Sequence, residues 1–409
     1  MDIRPPTIAE PPVAQAQPTE PPAGGNRQAE LALIVFFLAL VATVPIFQAG
    51  LELARDGRVE ALEIFHRKPT SVNLRAYEHH LEDGSVVART LRPWFQFAQF
   101  AWLRDGGKKA LVGRDGWLFY KPGFDDALAR GREALSGTND PVAAIVAFRD
   151  ALAARGIHLL VLPAPNKSSI YPDKVTSRFA AGRTVLSPTT RQTLARLRAA
   201  GVEYVDLFAA FAQARTNSAS RGAPALYLAQ DSHWSPAGVA IAARIVARRL
   251  VELGWVRKGA MEYQERAAPV KHLGDILRML RSPGLERRTV PERVPCVQVV
   301  HGTPAQPYQD NPNSSILILG DSFLRVYEQD EPGSSGLIAH LAKELKQALA
   351  SLVSDGGAST IVRQELYGRP ALLKHKRVVI WEFVERDIRL GLEGWQRVPV
   401  PPAATGSRD

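Results

Sequence analysis

Cysteine is nearly absent from this chain, with Cys296 alone among 409 residues. No intrachain disulfide can form, and no cysteine-based metal cluster can be built. A single cysteine of this kind is most often ordinary core. The chain also lacks a Gly-rich phosphate loop, an internal repeat and any block of like charge. The histidines other than His233, with His272 among them, have no metal-ligand spacing, so neither a metal nor another cofactor is expected. The net charge of +10 is scattered along the chain and suits an anionic partner or reflects a basic proteome background alone. Phospholipid head groups, a uronic-acid polymer and nucleic acid all qualify by charge. Without a basic block or a nucleic-acid motif, no nucleic-acid partner is expected.

Long apolar runs are also scarce, and the one that exists sets the domain plan. Residues 1–28 carry Pro5-Pro6, Pro11-Pro12 and Pro21-Pro22 with almost no large apolar side chain. Such a tail cannot offset its ordering entropy and is expected to be disordered. Leu31 to Leu51 then runs without a charge, through Ile34-Val35-Phe36-Phe37-Leu38. At 1.5 Å per residue this run spans roughly 30 Å, one hydrocarbon core. A transmembrane anchor over 29–51 is the expectation; a cleaved signal peptide is the rival, opposed by the length of the run and the lack of a small-x-small site after it. Arg55, Arg58, Arg67 and Lys68 follow the span and only Arg27 closely precedes it, which by the positive-inside rule argues for an inward C-terminal domain. Long domains can translocate against that bias. A membrane-proximal segment follows over 52–111. Its Trp94, Phe95, Phe97, Phe100 and Trp102 either lie near the membrane surface, cap the main domain or pack as an ordinary helix.

From about residue 112 strands alternate with helices. Strands are predicted at 116–120, 157–162, 203–207, 315–319 and 377–383, and helices at 141–155, 189–200, 236–253 and 336–353. This order implies an α/β domain over 112–398, with a mostly parallel sheet covered on both faces, followed by a disordered tail at 399–409.

Two short strings carry the chemistry. Gly320-Asp321-Ser322-Phe323 follows the apolar strand Ser315–Leu319, and a serine just past such a strand sits where open α/β sheets place their sites. Asp231-Ser232-His233-Trp234 supplies the remaining parts. Ser322 is a nucleophile that needs a base, His233 has the right ordinary pKa to be that base, and Asp231 can hold the imidazole tautomer. The backbone N–H of Ser322 can help hold an oxyanion. The competing reading has Asp231 and Ser235 capping the helix at Pro236 while His233 packs on Trp234. Asp321 is read as shaping the turn. Lys167 and Tyr171 follow the strand ending at Leu162 and either contact a substrate or serve capping and packing. Arg386 follows the last strand and either binds a carboxylate or forms a structural ion pair.

Five segments in order now point to a family: Gly113–Tyr120, Pro163–Pro172, Asp231–Trp234, Gly320–Phe323 and Trp381–Arg386. Across roughly 112–390 the chain resembles the alginate O-acetyltransferase group, AlgJ and AlgX, whose catalytic domains are SGNH-hydrolase-like. With its N-terminal anchor and no obvious carbohydrate-binding module after the catalytic domain, its layout is closer to AlgJ. The resemblance implies a periplasmic domain on a single-pass inner-membrane anchor. It implies O-acetylation of an exported, alginate-like polysaccharide through an acetyl-serine, and a membrane-bound O-acyltransferase as acetyl donor partner. A carbohydrate acetyl esterase with the same triad and a non-catalytic polysaccharide-binding scaffold are the alternatives.

Overall fold

The computed structural model describes residues 27–66, 70, 73–74, 77, 81, 84–124, 139–219, 224–390 and 394–401. Residues 1–26 and 402–409 of the two expected tails lie outside the described residues. The chain divides into two compact units, residues 1–92 and 93–409.

In the first unit, Arg27–Asp56 is a single helix with Pro45 inside it. Within Glu30–Arg55 an 18-residue window reaches a mean hydropathy of 2.5, and none of that window is buried among the described residues. Leu31, Phe36, Phe37 and Ile46 are all exposed. A helix this long and apolar fits a single-pass membrane anchor.

The second unit is built on four parallel strands: β1 (His158–Ala164), β2 (Ile316–Gly320), β3 (Ala350–Val353) and β4 (Val378–Val384). Their order across the sheet is β3-β2-β4-β1. Side chains alternate between faces with a period of two. Leu160, Ile318 and Ile380 face one core with the helices Pro236–Glu252 and Leu337–Leu345. Leu159, Leu317, Val379 and Trp381 face the other, with Pro141–Ala153, Pro188–Ala199 and Ile361–Tyr367. Both faces are thus dry, and the strands read as near-continuous apolar runs.

Three of these helices start where their sequence says they should. Asp140, Ser187 and Ser235 are N-caps, each followed by Pro141, Pro188 or Pro236 in the first turn. Ser235 therefore does cap its helix, whereas Asp231 does not.

Three expected elements differ. The strand expected at 116–120 is Leu118–Tyr120 and pairs antiparallel with Ala110–Val112, outside the parallel sheet. The strand expected at 203–207 is a single parallel bridge, Tyr204 to Val161, because Asp206 accepts the Ala209 N–H and a helix begins at Leu207. The helix expected at 336–353 ends at Leu345, where Lys346 takes a left-handed cap at φ 55°. Residues Ala350–Val353 then form strand β3; the run Ala348-Leu349-Ala350 leading into it also suits a helix, and tertiary pairing with β2 decides the matter.

Between the helix Pro236–Glu252 and β2 lies an inserted β region. Tyr263–Ala267, Val297–His301 and Gln306–Pro307 form one antiparallel sheet, and Val270–His272 pairs with Glu292–Val294 in another. The helix Val86–Leu103 turns Phe97 and Phe100 onto Leu277, Leu280 and Leu285.

Candidate active site

β1, β2 and β4 end at one edge, and the segments leaving them carry Lys167, Ser322 and Arg386. Ser322 opens a one-turn helix, Ser322–Arg325. Asp321 caps it by accepting the Phe323 N–H at 2.8 Å, the turn-shaping role expected of it. Gly320 lets the Glu382 carboxylate and the Leu324 side chain close over the turn, since a Cβ there would force them to shift. Glu382 lies fully buried beneath the turn and accepts the Asp321 N–H at 3.1 Å. Burial, reinforced by Asp321, pushes its pKa well above the ordinary carboxylate range.

Asp231 and His233 stand on a loop ahead of the helix at Pro236. The Ser322 Oγ lies 2.8 Å from His233 Nε2, and His233 Nδ1 lies 2.6 Å from Asp231 Oδ1. With the Nδ1 proton donated to Asp231, the Nε2 lone pair faces the serine hydroxyl. Trp234 fixes the two loops against each other: its indole N–H donates to the Phe323 carbonyl at 3.2 Å, and its own carbonyl accepts from Tyr327 Oη at 3.3 Å.

Asp231 accepts four hydrogen bonds. Besides the His233 ring, Oδ1 takes the His233 backbone N–H at 2.9 Å. Oδ2 takes His272 Nε2 at 2.6 Å and the Asp275 N–H at 2.9 Å. Burial alone would raise the pKa of Asp231, but its charge and hydrogen-bond partners override burial and hold it well below the usual range. Burial likewise would lower His233, yet the Asp231 carboxylate outweighs it and the net shift is upward.

The inserted β region supplies this second layer, which the motifs did not announce. Asp275 accepts the Ser232 N–H at 2.7 Å and the Ser232 hydroxyl at 2.6 Å. Glu292 accepts the N–H groups of Ala229 and Gln230. Gly274 permits the approach, because a Cβ there would collide with the Gln230 carbonyl. His272-Leu273-Gly274-Asp275 was the available sequence signal, but metal spacing is the wrong filter for a histidine whose partner is another side chain. Asp231, His233 and Asp275 place donor atoms within 4.8 Å of one another, although the Asp231 and Asp275 oxygens are already engaged as described.

Of the three weaker site candidates, the fold brings one to the cleft and buries the other two. A cleft of about 380 Å³ opens over Ser322, and Tyr120, His233, Asp275, Met279, Arg325 and Arg386 are among its walls. Arg386 lies over the rings of Tyr120 and Phe323 at 5.3 and 5.8 Å, with no ion pair to a described residue. Lys167 is buried, with Nζ donating to the carbonyls of Leu118, Ala229 and Asp231. Its three protons are all engaged, so it ties the Asp231 loop to its neighbours rather than holding a ligand. Burial pushes its pKa down to about 7, against the pull of Asp231, Glu292 and Asp275. Tyr171 sits in the core, its ring tilted against Trp117 with centroids 4.5 Å apart and its hydroxyl accepting the Leu226 N–H. Neither residue lines the cleft over Ser322.

The upward shift of His233 has a measurable consequence. A base must be unprotonated, so kcat/KM should rise with pH through a pKa above about 6.5, the ordinary histidine value. Stability runs the other way. The contribution from protonated His233 is complete below about 6.5 and is lost as pH rises through the higher folded-state pKa. A pH profile with its acidic limb below 6 would contradict this environment.

A parallel sheet with a serine, a histidine and an aspartate hydrogen-bonded in sequence at its C-terminal edge is the framework of an SGNH-hydrolase-like α/β domain. A family model for the SGNH hydrolase-like domain of acetyltransferase AlgX matches residues 110–385, more than half of the chain, and the chain belongs to that family. It is 25% identical over 319 residues to the probable alginate O-acetylase AlgJ of Pseudomonas aeruginosa, covering 76% of this chain and 78% of the relative. The probable alginate O-acetylase AlgJ of Azotobacter vinelandii is 24% identical over 334 residues, with 78% and 79% coverage. In fold, the chain matches the O-acetyltransferase domain of Pseudomonas putida AlgJ with a TM-score of 0.54 at 21% identity, covering 68% of this chain and 92% of that one.

Proposed function

We propose that this protein is an O-acetyltransferase that acetylates hydroxyl groups of an exported uronic-acid polysaccharide, alginate or a close relative, through an acetyl-serine on Ser322. The observation that carries the reading is the continuous chain of contacts from Ser322 through His233 to Asp231, opening onto a cleft shared with Arg386. In the first half-reaction the Ser322 oxygen attacks the donor's acetyl carbonyl as His233 takes its proton. The donor's leaving oxygen then departs with that proton, and acetyl-serine remains. In the second half-reaction a sugar hydroxyl gives its proton to His233 and attacks the acetyl-serine carbonyl. The sugar acetate leaves and Ser322 recovers its proton. The Ser322 N–H, the first of its helix and without an intrahelical acceptor, is placed to receive the developing oxyanion.

Arg386 suits the acceptor. Its guanidinium is held by ring faces rather than by a carboxylate, so it is available to a uronate carboxylate in bidentate fashion. With a chromogenic acetyl ester as donor, uronic-acid oligosaccharides should discharge the acetyl-enzyme faster than water does. Neutral oligosaccharides should be poorer acceptors, and Arg386→Ala should raise KM for the uronate acceptor about tenfold or more with a smaller change in kcat. Turnover indifferent to every oligosaccharide would make the protein an acetyl esterase instead.

The domain plan proposed with this function is an anchor at 29–51, a membrane-proximal segment at 52–111 and the acetyltransferase domain at 112–398. The anchor belongs in the bacterial inner membrane with the catalytic domain in the periplasm, where an exported polymer passes. A membrane-bound O-acyltransferase delivering acetyl groups across the bilayer is the matching donor. Tethering both proteins to one surface raises their effective concentration. A C-terminal reporter active only outside the cytoplasm should be active; a silent one, with its cytoplasmic counterpart active, would invert the topology.

A further inference from the structure

The helix Val86–Leu103 has two faces of opposite fate. Phe97 and Phe100 pack on Leu277, Leu280 and Leu285. Trp94, Phe95, Trp102 and Leu103 do not pack: they are 73%, 65%, 80% and 73% exposed. Phe95 and Trp102 are seven positions apart, so they stand in line on one side of the helix, and Trp94 lies a quarter-turn away toward the groove described next. For a domain with a dry core on both sides of its sheet, two bare tryptophans and a phenylalanine on one helix need an occupant.

The groove beside them narrows the choice. A cavity of about 440 Å³ lies between this helix and Pro283–Arg288, walled by Trp94, Phe97, Pro283, Gly284, Arg287 and Arg288. The Arg288 guanidinium rests 4.8 Å from the Phe97 ring, and neither arginine makes an ion pair with a described residue. Aromatic rings flanked by uncompensated guanidinium groups suit the interface of a bilayer, where rings sit among the head groups and cations meet lipid phosphate.

We propose that this face, centred on Trp94, Phe95 and Trp102 and bordered by Arg287 and Arg288, docks on an anionic phospholipid surface. The proposal rests on the reading of Arg27–Asp56 as a membrane span, which supplies the surface within reach. The helix Asp275–Met279 gives the docking a purpose. Its Leu277 packs in the cluster with Phe97 and Phe100, while its Asp275 and Met279 line the cleft over Ser322. One helix therefore separates the docked face from the cleft, so docking would hold the cleft close to the bilayer, where an acetyl group emerges.

The test uses the full chain reconstituted in vesicles. Cys296 is 1% exposed and is the chain's one cysteine, so a probe can be attached selectively at Trp102→Cys, with Lys258→Cys as an exposed reference. Flotation with the vesicles first tests the anchor. Phospholipid brominated in its acyl chains should then quench the probe at 102 and leave the probe at 258 bright. Quenching should be stronger in phosphatidylglycerol than in phosphatidylcholine vesicles, and Arg287→Ser with Arg288→Ser should abolish that difference. A chain that floats but is quenched equally at 102 and 258 overturns the docking while leaving the anchor intact; a chain that does not float overturns both. A probe at 102 that becomes protected only when a membrane acyltransferase is co-reconstituted assigns the face to a protein partner and overturns the lipid proposal.

Discussion

Ser322→Ala should lower acetyl transfer on the order of 10⁶-fold, the scale on which a serine–histidine pair works as a unit. The fold should survive, because Ser322 is only partly buried and the substitution removes one oxygen; stability should stay within about 0.5 kcal/mol. His233→Ala should be nearly as damaging to turnover, since an unactivated hydroxyl is a poor nucleophile. It should also cost about 1–3 kcal/mol of stability, because the buried Asp231 loses a hydrogen-bond partner. The serine variant is therefore the cleaner comparison. Incubated with an acetyl ester, the wild-type protein should carry one acetyl group on the peptide containing Ser322, readable by mass spectrometry, and the alanine variant should carry none. Full acetylation of polymer by a strain carrying Ser322→Ala would remove Ser322 from the chemistry and favour a scaffold.

The sequence was most informative where one local rule decides the outcome. The apolar run before Gly320 had to be an interior strand, and the turn after it had to expose Ser322. Ser235 followed by Pro236 had to begin a helix, which left Asp231 and His233 on the loop ahead of it. Lys167 and Tyr171 were harder to place, because being just past a strand fixes the edge of the sheet but not the direction of a side chain. Tyr171 turns under Trp117 into the core, and Lys167 turns toward three carbonyls. Arg386, two residues past its strand, turns the other way and reaches the cleft. The stretch ending in β3 departs from the expected helix because Ala348 to Val353 suits both a helix and a strand, and only the pairing of Leu317 with Ala350 settles it. His272, Asp275 and Glu292 were hidden for a different reason. They reach the Asp231 loop from a region some 40–60 residues downstream, and no spacing rule encodes such a contact.

That hidden layer makes the second large effect specific to this chain. Asp231→Asn keeps the shape but presents an amide N–H to one side of its four donors. If the amide nitrogen faces His233 Nδ1, the imidazole must carry its proton on Nε2, and its lone pair then points away from Ser322. If the carbonyl oxygen faces His233 instead, the amide N–H meets His272 Nε2 and the Asp275 N–H. Neither orientation satisfies all four contacts. Turnover should fall by about 10⁴-fold, as in a serine protease that loses the equivalent carboxylate. His272→Leu probes the other oxygen alone. It removes one charge-assisted hydrogen bond of about 1.5–3 kcal/mol, so kcat/KM should fall about ten- to a hundredfold. A carboxylate relieved of one donor attracts the imidazolium more strongly, which should move the acidic limb of the pH profile upward. His272→Gln, which keeps an N–H at similar reach, should restore most of the loss and return the limb toward its wild-type position. A merely structural histidine would behave otherwise: His272→Leu would lower the thermal midpoint and the yield of folded protein, while activity per folded molecule and the limb stayed where they were. That outcome would confine the working machinery to Ser322, His233 and Asp231 and leave the inserted β region as scaffold.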